Sequence, residues 1–553
     1  MDSRAREVLR MGDALFSRKK VVDCLWQEIA LNFFPERADF TYKRSEGEEF
    51  ADHLFSSYPV MARRELGNLF AANLRPRDRK WFSIHVEDED LDEGHYERKF
   101  LEHLTEIQWR AMYDRPAKFV RATKETDHDF AAFGNGVIKF GTNSTGEYLH
   151  YRNYHLRDNA WTENADGAID VNHRNCNLTA RQLTQMFPGK VSSEVNRALE
   201  KDPEKEFPCR HVVLPSRLYD YKTRGGKQFP FVSLYVECIS ETVLEEVGLN
   251  YFCYIIPRWQ TISGSPFGVS MATGILLADG RTLQVVMRTL REAGEKYVDP
   301  PMVAVADAIR GDLALYAGGV TTADIEYDER LGEVLRPITQ DRGGFPIGNE
   351  IALALKEDIR AGMLLDKIQL PESGRDMTAF EVGRRLQESL RAQSPIFEPI
   401  IEDYNDPLCD GTFSVLRDGG AFPLDQMPES LENRELKFKF RSPLADLEEM
   451  NEAERYMDVR DRILIPASQL DPSELENADF TEATRDAMRS AGWKAKWFKP
   501  REAVDERRQQ MMQEAELAKG MASIGAAGQA AQQGADAVSA GVNAAGELAA
   551  VSQ

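Results

Sequence analysis

Hydrophobic positions in the first 130 residues recur mainly at helical spacing, three or four residues apart. This spacing predicts a helix that stops at Pro35 and is broken by the basic stretch 18–20. Further helices are predicted over 52–74, with a break or bend at Pro59, over 92–113 and over 118–133. Residues 81–86 alternate between apolar and polar and are predicted to form a strand.

The pattern changes after residue 134 to short alternating runs separated by turn signals. Strands are predicted at 137–140, 148–154, 210–214, 229–238 and 251–257, and short helices at 179–187 and 192–200. Residues 164–167 read Asn-Ala-Asp-Gly and predict a turn between two more strands. This part of the chain is predicted to be α+β, with strands pairing largely in sequence order.

Helical spacing returns over 268–297, and the Pro300-Pro301 pair ends it. A second helix is predicted over 346–370, stopped by Pro371, and a capping box at Thr378 and Glu381 predicts a third. Helices are also predicted within 441–519. The tail 520–553 has 12 Ala and 6 Gly in 34 residues, and its composition fits either a disordered tail or a closely packed helix.

Composition fits a globular protein, with 42% hydrophobic and 29% charged residues and room for three or four domains. The net charge of −22 argues against tight binding of nucleic acid over the whole surface. A mean hydropathy of −0.47 and a charged N-terminus predict neither a membrane span nor a signal peptide. The six cysteines are scattered, which predicts reduced thiols.

No motif for phosphate binding, zinc proteolysis or a serine nucleophile is present in the sequence. Asp127-His128-Asp129 is interpreted as a solvated helix face, because neighbouring helical residues diverge by about 100°. A zinc site built from 173–176 and 209–211 is disfavoured by the tight second spacing. We therefore expect a structural protein without catalysis, metal or cofactor.

Two helices carry basic stripes. On 268–297, Arg281, Gln284, Arg288 and Arg291 are placed on one broad face, and apolar residues occupy the opposite side. On 346–370 the corresponding stripe is Lys356, Arg360, Met363 and Lys367. In a monomer these are ordinary solvent faces, whereas in a ring they would pair between subunits or face a lumen.

Several segments, in this order, resemble the head-to-tail connector, or portal, proteins of short-tailed bacteriophages. They are YPVMARRELGNLFAANLRP at 58–76, KWFSI at 80–84, FAAFGNGVIK at 130–139, SPFGVS at 265–270, MTAFEVGRR at 377–385 and the Ala/Gly-rich end. The resemblance runs over most of the chain and rests on order and spacing; region 302–345 is the least similar.

The resemblance implies an α+β portal fold arranged as a ring, usually of twelve copies, around a channel. The implied regions are a wing at 1–267, a stem helix at 268–297, a clip at 298–345, a second stem helix at 346–370, a tunnel loop at 371–377, further wing at 378–440, crown helices at 441–519 and the tail or barrel at 520–553. The implied tunnel-loop residues are Lys367, Glu372, Arg375 and Asp376, and the implied stem residues are Arg281, Arg288, Arg291, Lys356 and Arg360.

The implied function is a conduit for double-stranded DNA at one capsid vertex, during both packaging and ejection. Implied partners are the terminase large subunit, a tail adaptor protein, the major capsid and scaffolding proteins, and DNA bound without sequence specificity, with no membrane contact. The protein would be assembled in the host bacterial cytoplasm and carried in the virion. Two alternatives stay open: a capsid or tail adaptor or scaffold without a channel, and an enzyme of unrecognised type.

Overall fold

The computed structural model describes residues 2–45, 47–77, 79–86, 94–143, 145–219, 229–298, 302–304, 335–337, 344–365, 400–432, 434, 436–440, 453, 455–466, 480–493, 495–500 and 503–514. The chain divides into two compact units. The first comprises Met1–Ile84, Leu104–Asp425 and Phe438–Glu448, and the second His85–His103, Gln426–Lys437 and Glu449–Gln553.

The named helices are α1 (Ser3–Phe33), α2 (Tyr58–Leu74), α3 (His95–Tyr113), α4 (Phe119–Phe133), α5 (Ala180–Met186), α6 (Ser193–Lys201), α7 (Thr273–Val298), α8 (Gly344–Gly362), α9 (Asp406–Asp418) and α10 (Phe480–Ser490). The strands are β1 (Phe82–Val86), β2 (Ile138–Thr142), β3 (Leu149–Asn153), β4 (Asn159–Glu163), β5 (Ile169–Thr179), β6 (Glu206–Pro215), β7 (Phe231–Glu237), β8 (Thr242–Leu249), β9 (Tyr254–Ile255), β10 (Met302–Ala304), β11 (Leu335–Pro337) and β12 (Leu436–Phe440). The described chain is therefore a mixture of helix and strand, as predicted.

The centre of the first unit is an antiparallel five-stranded sheet in the order β4-β5-β6-β7-β8. Strands neighbouring in sequence are neighbours in the sheet, which confirms the predicted pairing order; β8 was not predicted. One face packs on α1 through Val8, Val212 and Val232, and the other carries α5 and α6 around Leu183 and Phe207. The sheet is thus covered by helices on both faces.

The first helix is continuous over Ser3–Phe33, so the predicted break at 18–20 is wrong. Lys19 is fully buried, and its ammonium donates to the carbonyls of Leu156 at 2.7 Å and Arg157 at 3.1 Å. It also pairs with Asp23, one turn later, at 3.0 Å. A lysine inside a helix is tolerated in the core because its charge and its donors are satisfied.

The second helix begins at Tyr58, not at residue 52, and Pro59 lies in its first turn. Proline favours that position because the N–H that it lacks would have no helical partner there. Pro59 therefore starts the helix instead of bending it. Among the described residues, no helix is long and apolar enough to cross a membrane.

Candidate functional site

Helices α7 and α8 lie side by side and antiparallel. A Cβ on Gly348 would lie 2.7 Å from Leu290, and one on Gly362 would lie 2.6 Å from Leu276. As the residue number rises on α8 it falls on α7, so the two helices run in opposite directions. The glycines let the backbones approach where a side chain would collide with leucine.

The start of α7 is fixed to the end of α4 by the buried side chain of Asn135. Its Oδ1 accepts from the Gly268 N–H at 2.9 Å, and its Nδ2 donates to the Gly268 carbonyl at 2.6 Å. Nδ2 also donates to the Phe133 carbonyl at 3.0 Å, and Ser270 Oγ donates to the Ala131 carbonyl at 2.8 Å. We call Asn135 with Gly268 and Ser270 the α4–α7 junction.

Gly134 is required at the same junction. Its φ of 70° is in the left-handed region, and a Cβ there would overlap the backbone of Val269 and Ser270. Its carbonyl accepts from the Trp259 N–H at 2.9 Å. The Gly-Asn-Gly sequence, which looks like a plain turn, is therefore the docking point for the segment that enters α7.

Three segments singled out in the sequence are brought together, two of them through aromatic contacts and the third through Asn135. Phe70 of 58–76 lies 5.1 Å from Trp259 and 5.7 Å from Phe130 of 130–139, measured between ring centroids. Segment 130–139 also carries Asn135, which holds segment 265–270. The motif at 377–385 lies outside the described residues.

The family described as "Bacteriophage head to tail connecting protein" matches residues 5–498, nearly the whole chain. This chain belongs to that family. It is 24% identical over 445 residues to a "Probable portal protein" of Bordetella phage BPP-1, which covers 76% of this chain and 75% of the relative. It is 22% identical over 487 residues to the "Portal protein" of Salmonella phage epsilon15, covering 87% of this chain and 85% of the relative.

The predicted stem residues lie mostly on the outer surface of α7 and α8. Arg281 pairs with Glu28 of α1, and Arg288 pairs with Glu292 one turn later at 2.8 Å. Arg291 and Arg360 are exposed. Lys356 is half-buried, with its ammonium 6.0 Å from the Tyr58 ring centroid. The predicted tunnel-loop residues Lys367, Glu372, Arg375 and Asp376 lie outside the described residues.

Two residues assigned to the basic stripes are instead in the core. Gln284 is buried: its Oε1 accepts from the N–H groups of Phe55 and Ser56, both at 2.8 Å, and its Nε2 donates to the Ser56 carbonyl at 2.9 Å. Met363 is fully buried. Gln284 thus fixes the chain just before α2 to the middle of α7, a contact that helical spacing alone does not reveal.

The prediction of a solvated face at Asp127-His128-Asp129 is wrong. Asp127 and Asp129 are buried. Asp127 pairs with Arg75 at the end of α2, and Asp129 accepts from Arg37 at 2.8 Å. Burial, together with the charge of nearby Arg63, lowers the pKa of His128 to about 4. The three side chains diverge as expected, but each reaches a different neighbouring segment.

The histidines considered for zinc have other environments. His211 lies between Tyr254 Oη, at 2.5 Å from Nδ1, and Ser233 Oγ, at 2.9 Å from Nε2. His173 is fully buried, and burial with the charge of Arg210 lowers its pKa to about 3. Within the described ranges, no group of three potential metal ligands gathers. These side chains support the packing of α1 and β9 on the sheet.

Proposed function

We propose that this chain is the portal subunit of a short-tailed phage. Copies assemble as a ring, expected to contain twelve subunits, and the ring conducts double-stranded DNA into and out of the capsid. Membership in the connector family and the two portal relatives support this role. The observation that carries the assembly mode is a pair of matching outer faces on α7 and α8.

The outer face of α7 is a stripe without charge, which we call the α7 stripe: Ile275, Ala278, Thr282, Val285 and Thr289. All five are exposed, Ile275 to 76% and Val285 to 64%. The Thr282 and Thr289 hydroxyls donate to carbonyls of their own helix at 2.9 and 3.0 Å, which lets the methyl groups complete an apolar surface. Alternating spacings of three and four are those of a helix that packs on another helix.

Helix α8 has an outer row with the same spacing, apolar except for Asp358, which we call the α8 stripe: Ile347, Ile351, Ala354, Asp358 and Ala361, all exposed. Glu350 and Glu357 border it, each one residue before a stripe position. Arg281 and Arg288 border the α7 stripe in the same way. The two arginines are seven residues apart, and so are the two glutamates.

In an antiparallel helix pair, border positions of this kind face each other and can form ion pairs. Arg281, which also pairs with Glu28 of its own chain, can therefore meet Glu357 of the next copy. Arg288, which also pairs with Glu292 one turn later, can meet Glu350 of the next copy. Different faces meet at each contact, so the interface is head-to-tail and closes into a ring by rotation. Exposed ion pairs are worth at most about 1 kcal/mol each, but the ring repeats them at every interface.

The remaining assignments follow from this arrangement. A net charge of −22 per subunit makes the ring repel phosphate, so DNA slides through it. The clip, 298–345, docks the terminase large subunit and then the tail adaptor, and the wing meets capsid and scaffolding proteins. The assembled ring is a virion component without catalysis. Deleting 315–335 should leave soluble rings that fail to bind terminase.

Charge reversal tests the interface. We expect Arg288→Glu to weaken ring assembly, because it faces Glu350, and the added change Glu350→Arg to restore it. Native mass spectrometry of the full chain gives the copy number, and electron microscopy shows whether the channel admits duplex DNA. The matched control is Arg181→Glu with Lys201→Glu, which changes exposed residues in the short helices α5 and α6 and should assemble normally.

If Glu350→Arg does not restore ring assembly to the Arg288→Glu variant, the proposed Arg288–Glu350 ion pair between subunits is wrong. A monomer, a dimer or a particle without a channel in the unmodified protein would favour an adaptor or scaffold instead. Val285→Glu and Val285→Thr are a second, independent test of the α7 stripe. We expect only the glutamate to prevent assembly, since threonine keeps the stripe neutral.

A further inference from the structure

The turn that follows α10 combines positive charge with exposed aromatic rings. Residues 485–501 contain six basic and one acidic residue, in a chain whose net charge is −22. The same segment contains Trp493, Trp497 and Phe498. This local excess of positive charge contrasts with the negative charge of the rest of the chain and favours binding of an anionic ligand.

The turn is fastened to α10. Gly492 has a φ of 83°, and its N–H donates to the Arg489 carbonyl at 2.8 Å. The Trp493 N–H donates to the Met488 carbonyl at 2.9 Å, which completes a helix-ending motif. Arg485 Nη2 then donates to the Lys499 carbonyl at 2.7 Å. Both ends of the turn are thus held by the helix, so its side chains are presented in a defined arrangement.

The two tryptophans form an exposed pair. Their ring centroids are 5.2 Å apart at an interplanar angle of 77°. Trp493 is 46% exposed and Trp497 52% exposed. Lys496 and Lys499, on either side of Trp497, are also exposed.

We propose that this surface, the Trp493–Lys499 turn, binds the phosphodiester backbone of DNA. Lysines supply phosphate contacts, and tryptophan rings pack on sugars or on bases that are free to stack. In the sequence, Lys496 and Lys499 lie on either side of Trp497, and two further basic residues stand at 494 and 501. A row of regularly spaced anions can meet several of them together, whereas a single carboxylate of a protein partner meets one; this favours DNA over a second copy of the chain.

The proposal deepens the proposed function, on which it rests for the identity of the polyanion. It places a DNA contact on the turn after α10, in addition to the channel. Because the contacts are to the backbone, binding should be independent of sequence and strongly dependent on salt.

Fluorescence anisotropy with the full-length protein tests this, using a labelled duplex and the matching single strand. Lys496→Gln with Lys499→Gln should reduce the slope of log affinity against log salt by about 1.8 for the duplex, because each phosphate contact contributes about 0.9. Trp493→Ala with Trp497→Ala should weaken single-strand binding by about tenfold or more. Lys190→Gln with Lys201→Gln makes the same charge change at exposed positions elsewhere and should leave both slopes unchanged.

Unchanged affinity and slope in both variants would overturn the proposal, as would an equal loss in the control. Ring formation is measured on the same samples by native mass spectrometry. If the tryptophan variant loses rings but keeps DNA binding, the surface is a contact between subunits and the proposal is wrong. If the unmodified protein forms rings that do not bind DNA, the inference fails while the portal assignment stands.

Discussion

Replacing Asn135 with alanine should loosen the α4–α7 junction more than any exposed asparagine change. The Asn135 side chain is fully buried and is the partner of both the N–H and the carbonyl of Gly268. Alanine leaves these two main-chain groups buried without a partner, at a cost of about 1–3 kcal/mol each. We therefore expect the local free energy of opening to fall by about 4 kcal/mol.

Amide hydrogen exchange measures this directly, because the start of α7 must detach to exchange. A loss of about 4 kcal/mol corresponds to exchange about a thousandfold faster, since about 1.36 kcal/mol is a factor of ten. The acceleration should be confined to 268–276 and to the end of α4. Asn349→Ala, on the exposed side of α8, is the control and should leave exchange at the junction unchanged.

The variant Asn135→Asp keeps the shape of the side chain but removes its hydrogen-bond donor, so it distinguishes the effect of packing from that of hydrogen bonding. Aspartate keeps an acceptor for the Gly268 N–H but turns its second oxygen toward the carbonyls of Gly268 and Phe133, so it should do no better than alanine. Exchange in Asn135→Ala within tenfold of the unmodified protein would refute the reasoning. It would mean that Ser270 and the aromatic core hold α7 without the asparagine.

Three further changes have defined outcomes. Burial, with the charges of Asp410 and Glu402, raises the pKa of Asp406 from 3.8 to about 6. Stability is therefore lost as pH rises from 3.8 to about 6, and the loss is complete above that pH. Asp406→Asn should add about 1 kcal/mol at pH 7.5, after allowance for solvent screening, and less at pH 5, as read from Tm. For His173 the pH dependence of stability has the opposite sign, because its pKa is lowered in the folded protein. Stability is lost as pH falls from about 6.5, by about 2 kcal/mol at pH 5, so His173→Gln should flatten the pH dependence of Tm over that range. A Gly/Ser linker in place of 372–376 should leave rings intact but impair DNA packaging, and full packaging with the linker would remove the channel role of this loop.

Elements with a strong hydrophobic period were predictable. The antiparallel pairing order of β4 to β7 follows from short connections, since strands adjacent in sequence pair most readily. The presence of α7 and α8 also follows from spacing, and α7 ends just before the Pro300-Pro301 pair as predicted. Helix α7 begins at Thr273 and not at 268, and α8 ends at Gly362, so the predicted continuation to 370 is wrong: Leu364 has a φ of 58°, which a helix does not accommodate. Spacing alone misplaces the start of α2, because a proline such as Pro59 can either break a helix or occupy its first turn.

Spacing could not tell which polar side of α7 is exposed. Arg281 and Gln284 are one turn apart, yet Arg281 is half exposed and Gln284 is buried against the backbone of Phe55 and Ser56. A glutamine that binds three main-chain groups has the same period as one that faces water. The difference depends on Phe55 and Ser56, which precede Gln284 by 229 and 228 positions, and the local sequence around α7 contains no signal of this contact.

Buried charges in the first helices show the same limit of local sequence most clearly. A charged residue marks the solvent side of a helix only if no partner reaches it, because burial without a partner is costly. Lys19, Arg63 and Asp127 are all buried, and each has a partner that is distant in sequence: the Leu156 carbonyl, the Phe33 carbonyl and Arg75. Each of these charges is therefore buried only because the fold brings a distant partner to it.

Removing one member of a buried pair should cost more than an exposed ion pair is worth. Arg75→Met, which leaves Asp127 buried and uncompensated, should destabilise the first unit by about 3–5 kcal/mol. Restoring neutrality with Asp127→Asn in the same chain should recover most of that loss in thermal unfolding. If the double variant is no more stable than Arg75→Met alone, the guanidinium acts through its packing, 4.4 Å from the Tyr404 ring centroid, and not through the charge of Asp127.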